Sequence, residues 1–251
     1  MITTLLLLAF APIPNVSLRP QTVKEFQAYM EAADRSMVSR AVGNTRLPLL
    51  PDGAPKIQPW MANNPRDVTD GMIHDWIAAV FVPGAKVDDV VAVLKDYGRY
   101  ASMYHPDVLR VNLLSENGNR CKIVMRTVKT KVFTVILDID YDVEYRTLPN
   151  DRVQVWSRSS AIREVDNAGK PNETRSAPDR NAGLLWALNT YWQLEPTDGG
   201  VYMECRAVSL TRGIPMGAGW VVKPMVTTLP FESLTNTLTM TRTAVEQRLK
   251  R

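Results

Sequence analysis

The sequence predicts an α+β domain in which a curved antiparallel sheet of seven strands wraps around a long C-terminal helix, with an extra N-terminal helix and arm. Three observations predict it. Six strand-like segments follow one another between Val108 and Leu210, most of them parted by short turn signals, which makes consecutive strands antiparallel neighbours. A strand and a helix precede them, and the chain closes with the amphipathic stretch "PFESLTNTLTMTRTAVEQRLK". A bent sheet leaves one concave face uncovered and the helix has one apolar stripe to bury, so each supplies what the other lacks.

The elements follow in order. "MITTLLLLAFAPIP" holds an apolar run from Leu5 to Ala11, shorter than the ~20 residues that span a bilayer. It fits a signal-peptide core with Ala9-Phe10-Ala11 as processing site, although no Lys or Arg precedes it and Pro12 follows it. Residues 1–19 are therefore read as signal peptide and leader, with export to the periplasm or the exterior expected; the chain is cytoplasmic if the run is not a signal. Residues 20–71 form an N-terminal helix and a proline-rich arm. Val23, Phe26, Met30, Ala33 and Met37 keep the helical spacing, Thr22 and Glu25 make a capping-box pattern, and Gly43 ends it. Five prolines between Asn44 and Asp70 mark the arm, with Trp60 as its anchor and the tunnel mouth as its expected position.

Residues 72–251 form the main domain. "MIHDWIAAVFV" is a strand closed by Pro83-Gly84, and "KVDDVVAVLKDYGRYASMY" is a helix. The six strands end at Glu116-Asn117-Gly118-Asn119, Leu148-Pro149-Asn150-Asp151 and Pro196 to Gly200; only the Val165–Asn181 connection is long. "VFTVILDIDYDVEYR" alternates apolar and acidic residues over a reach of ~50 Å, so it must curl around what it encloses. In the last helix, after breaks at Pro215 and Pro224, Phe231, Leu234, Leu238, Val245 and Leu249 form the stripe.

This order resembles the START-like (SRPBCC, polyketide cyclase and lipid-transport) helix-grip superfamily over Met72–Arg251. The stretch "DWIAAVFVPGAKVDDVVAVLKDYGRYASMYHPDV" and the ending "RAVSLTRGIPMGAGWVVKP…SLTNTLTMTRTAVEQR" carry the resemblance. It implies a tunnel between sheet and helix that holds an apolar ligand such as a lipid, sterol or polyketide. That superfamily shares no universal catalytic residues, so none is carried over, and residues 1–71 have no counterpart in it.

Alternation supports a cavity independently. Inward positions include Val153, Val155, Ser157 and Ser159; Leu184, Trp186, Leu188, Thr190 and Trp192; and Val201, Met203, Cys205, Ala207 and Ser209, with Tyr202, Glu204 and Arg206 facing outward. Several inward residues are small or polar where a filled core favours larger aliphatic groups. A dry void of ~500 Å³ would cost on the order of 12 kcal/mol, comparable with a domain's whole net stability. A ligand or water fills the space, or the helix packs down and no pocket exists. The expected ligand-binding residues are Leu137, Ile139, Tyr141, Ser157, Trp186, Leu188, Thr190, Met203, Cys205, Leu234 and Leu238.

Other chemistries find little footing. The charge balance of +4 is spread rather than clustered, which argues against nucleic acid. Two histidines and no Cys/His cluster argue against a protein-built metal site, and no phosphate loop or nucleophile elbow is present, so no cofactor is expected. Asp138, Asp140, Asp142 and Glu144 read as a solvated face, ~6.6 Å apart along the strand, with Arg126, Lys129 and Arg158 as partners. His74 is expected at the surface or rim, opposite in direction to Asp75. Cys121 and Cys205 read as separate buried thiols. The leading reading is a carrier or sensor of an apolar small molecule or lipid, with transient membrane contact as an accompanying expectation and the oligomeric state open. The alternatives are a cyclase/aromatase-type enzyme using His74, His105 or Tyr141, and an interaction domain with a collapsed tunnel.

Overall fold

The computed structural model describes residues 18–130, 134–177, 183–213 and 228–251. The signal-peptide core, Val132 and Phe133 of the long strand, the Pro215 and Pro224 breaks and Trp220 lie outside them. The elements are α1 (Pro20–Val42), β1 (Lys56–Pro59), β2 (Arg66–Val68), β3 (Gly71–Pro83), α2 (Val87–Lys95), α3 (Tyr100–Met103), β4 (Val108–Asn117), β5 (Arg120–Thr130), β6 (Thr134–Leu148), β7 (Arg152–Asp166), β8 (Thr174–Arg175), β9 (Leu185–Thr197), β10 (Gly200–Arg212) and α4 (Leu229–Leu249).

One antiparallel sheet runs β1-β3-β10-β9-β7-β6-β5-β4, with β2 on β3 and β8 on β7. The described strands number ten rather than the expected seven. The additional three are short: β1 and β2 lie in the proline-rich arm and β8 in the long β7–β9 connection. None is long enough to show an alternation of its own. The expected turns are where the strands reverse. Asn150 and Asp151 take φ of 61° and 53°, and Gly118 and Gly199 take 59° and 77°, the left-handed backbone that tight hairpins need.

α4 crosses β3 and β10 on the concave side and meets α2, which is the helix-grip arrangement. Its buried residues are Leu234, Leu238, Thr241 and Val245. Phe231 and Leu249, assigned to the same stripe, are 39% and 41% exposed, because the spacing of four, three and four already completes the buried face. The helix expected from Lys86 to Tyr104 is broken: a 3₁₀ turn at Tyr97–Arg99 separates α2 from α3. Thr22 and Glu25 do not cap α1. The Thr22 hydroxyl donates to Thr69 O at 2.7 Å, and Glu25 accepts from the Thr69 amide at 2.8 Å, so both fasten the helix to the arm.

The convex face differs most from expectation. α1 lies against it, burying Phe26, Met30, Ala33 and Met37 on Ile73, Trp156, Tyr191, Val208 and Leu210. Tyr202, Glu204 and Arg206, read as outward, do face outward and are buried there beneath α1 and the arm. Each has partners there. Tyr202 donates to Glu204 at 2.5 Å, Glu204 pairs with Arg40 at 2.7 Å, and Arg206 pairs with Asp75. Trp60 does anchor the arm, its ring 3.7 Å from the Arg206 guanidinium carbon. The arm runs over the convex face and reaches α4 where Arg242 donates to Gly53 O at 2.5 Å. None of its residues lines the space between sheet and helix, so the expected place at the tunnel mouth finds no support.

Candidate functional site: an apolar cavity between sheet and C-terminal helix

The sheet's strand register explains the hollow. Val143, Ser157, Thr190 and Ala207 stand opposite one another across β6, β7, β9 and β10, a concave-side row of small and medium side chains. The row beside it, Tyr145, Val155, Trp192 and Cys205, is bulkier. The small residues in mid-sheet leave the space beneath the helix unfilled, and a cavity of about 320 Å³ results. That volume falls in the range of small-molecule sites, roughly 300–1,000 Å³.

β5 and β6 contribute Ile123, Met125, Thr127, Leu137, Ile139 and Tyr141, and β9 contributes Leu185, Leu188, Thr190 and Trp192. α4 turns Ser233, Leu234, Thr237 and Met240 toward the space, while Leu238 and Val245 pack on the core beside it. One end is closed by tyrosines. Tyr97 and Tyr145 share a hydrogen bond of 2.9 Å, Tyr100 donates to Leu94 O at 2.6 Å, and Tyr104 meets Thr241 at 2.8 Å. Burial raises the hydroxyl pKa of Tyr104 to about 12 and lifts those of the other three further. The other end is polar: Lys129 pairs with Asp107 at 2.7 Å, and these are the charged side chains on the wall among the described residues.

Of the residues expected to bind ligand, Leu137, Ile139, Tyr141, Ser157, Leu188, Thr190, Cys205 and Leu234 are on the wall. Three are elsewhere. Trp186 lies on the convex face with α1, because β9 bulges opposite the Leu210–Thr211 step and the alternation slips by one residue. Met203 and Leu238 point inward but are fully buried in the core next to the cavity. The tyrosines of the 3₁₀ turn, α3 and the turn after it, together with Asp107 and Lys129, were missed. A usable signal existed in the spacing of Tyr97, Tyr100 and Tyr104, which repeats at three and four.

Neither histidine is on the wall. His74 is not at the surface or rim: it is 1% exposed and its Nε2 lies 2.8 Å from Thr211 Oγ1. Burial lowers its pKa to about 4. The acidic row is only partly solvated. Asp142 and Glu144 pair with Lys122 and Arg120 at the surface, and Asp140 pairs with Arg163. Asp138 is buried in a bidentate pair with Arg126, which Arg175 and Glu173 extend. Lys129 and Arg158, proposed as partners for that row, serve Asp107 and Asp34 instead. No group of three or more metal-ligating side chains occurs among the described residues. No helix there is long and apolar enough to cross a membrane. Cys121 and Cys205 are free and buried.

No family model and no curated protein matches the sequence. Solved structures to which the chain is similar include a fragment of the STAR-related lipid transfer protein from Xanthomonas axonopodis, 20% identical over 72% of this chain and 96% of that one, with a TM-score of 0.48. Human STARD10 is 10% identical over 96% of this chain and 86% of that one, TM-score 0.48. The Zhui aromatase/cyclase from Streptomyces sp. R1128 is 14% identical over 70% of this chain and 96% of that one, TM-score 0.46. The helix-grip arrangement stands on this chain's own strand order and helix contacts.

Proposed function

We propose that the protein binds an apolar, lipid-like small molecule in the cavity between the sheet and α4 and acts as its carrier or sensor. The observation that supports this reading is the cavity itself: about 320 Å³ walled by aliphatic and aromatic side chains, with its charged pair held at one end. Left dry, such a void would cost on the order of 8 kcal/mol, comparable with the net stability of a domain. The aliphatic and aromatic walls favour a largely apolar guest, with the few wall hydroxyls left to meet a polar group on it. The helix packs on β3 and β10 but leaves a gap over the middle of the sheet, which speaks against the collapsed-tunnel reading. Of the groups named for a cyclase-type reaction, His74 and His105 lie off the wall and only Tyr141 is on it, so that reading keeps one candidate group and no histidine to act with it. Export through the N-terminal apolar run remains part of the proposal, and a carrier outside the cytoplasm would deliver its ligand at a membrane surface.

Native mass spectrometry of gently purified protein tests the reading. A complex of defined added mass that organic extraction removes is the expected result. If the protein comes down bare and also fails to take up an uncharged environment-sensitive dye, N-phenyl-1-naphthylamine, the carrier reading is overturned.

A further inference from the structure

Five tyrosines line the cavity, and four of them spend their hydroxyls on the protein: Tyr97, Tyr100, Tyr104 and Tyr145 each have a hydrogen-bond partner. Tyr141 does not. It is 7% exposed, it stands on β6 in the middle of the wall, and its hydroxyl has no hydrogen-bond partner among the described residues. A cavity-lining hydroxyl that no protein group engages is free to pair with a matching group on a ligand. Further hydroxyls share this part of the wall. Ser159, opposite Tyr141 in the β6–β7 register, is not one of them: it is off the wall and accepts from the Leu188 amide at 2.9 Å. Ser157, Thr190 and Ser209 have no side-chain partner among the described residues and line the same space; Ser209 is 5% exposed.

We propose that the ligand carries a neutral oxygen function, a hydroxyl or carbonyl, seated against Tyr141 in the cavity interior, with Ser157 and Thr190 flanking it. This rests on the carrier reading and narrows its ligand class. The interior groups are all hydroxyls, which both donate and accept, so they suit an alcohol or a ketone equally. They hold no charge to offset an ionised head, and burying an unpaired carboxylate is prohibitive. The cation on the wall, Lys129, is at the opposite, polar end and already paired with Asp107. An acidic amphiphile would therefore have to bind the other way round, head at Lys129, leaving Tyr141 facing hydrocarbon.

Three probes of one shape separate these arrangements: phenanthrene, 9-phenanthrol and phenanthrene-9-carboxylate, each competed against N-phenyl-1-naphthylamine on the full chain. Phenanthrol is expected to bind roughly five- to tenfold more tightly than phenanthrene, the net gain of one hydrogen bond. Tyr141→Phe should erase that gain and leave phenanthrene affinity within about twofold, because it deletes one oxygen and no wall area. Melting of the variant by circular dichroism checks that the fold is intact. A phenanthrol advantage that survives Tyr141→Phe overturns the assignment. So does tighter binding of the carboxylate that is lost in Lys129→Met. If neither the dye nor any probe binds, the carrier reading fails first and this inference with it, an outcome distinct from selective loss of the phenanthrol gain.

Discussion

Arg206 holds Asp75 with two hydrogen bonds, from Nε at 2.9 Å and from Nη2 at 2.5 Å, in the layer between the sheet's convex face and α1. Both side chains are nearly inaccessible, at 2% and 4%. Tyr29 donates to the same carboxylate at 2.7 Å, Ser36 accepts from Arg206 Nη1 at 2.7 Å, and Trp60 stacks on the guanidinium. One ion pair thus joins β3, β10, α1 and the arm. Replacing a single partner strands the other charge in a dry layer, whereas replacing both with apolar groups removes the problem. Arg206→Met should cost about 3–5 kcal/mol in urea unfolding, and Asp75→Leu combined with Arg206→Met should recover more than half of that loss. Equal destabilisation by the single and double variants would show that the pair is not what fastens α1 to the sheet.

His74 makes a pH prediction. Burial favours its neutral form and lowers its pKa to about 4, against an ordinary value near 6.5. The unfolded chain therefore binds this proton in a window where the folded chain does not, from about pH 6.5 down to about pH 4. Its contribution to stability is complete above pH 6.5 and falls through that window by up to about 3 kcal/mol. His74→Gln keeps an amide within reach of Thr211 and removes the titration. Urea midpoints measured from pH 7 to pH 4 should fall less steeply for the variant than for the parent chain; parallel curves would mean that His74 titrates normally.

These two sites also show where the sequence stops being legible. Alternation gave the face of almost every strand residue, and the order of elements gave the grip of sheet on helix, since both follow from local periodicity. What covers a face is not local. Glu204 and Arg206 alternate as a solvated strand should, and only the docking of α1 through Phe26 and Met30 buries them. Trp186 went to the wrong side because the bulge in β9 opposite the Leu210–Thr211 step shifts the alternation there, and a bulge leaves no periodic mark. Met203 and Leu238 were given the right face and the wrong neighbour. Pattern distinguishes inward from outward but not packed core from void, which depends on how closely α4 approaches each strand.

That last distinction can be tested by two substitutions with opposite signatures. Ser157 borders the cavity on β7, in the row of small side chains, so Ser157→Leu adds volume where there is room for it. Its thermal midpoint should stay level or rise, because filling a void relieves the cost the void imposes. The bound ligand, or N-phenyl-1-naphthylamine in its place, should be lost. Leu238 is fully buried on α4 but borders only packed side chains, so Leu238→Ala should cost about 2–5 kcal/mol by opening a new gap. At a temperature where the variant remains folded, dye affinity should stay within about threefold, since the wall is untouched and a displaced helix would lose far more. Stability and binding falling together in Ser157→Leu would mean that the row from Val143 to Ala207 is already filled. Binding lost in Leu238→Ala while the fold holds would move the ligand off the strands and onto the core face of the helix.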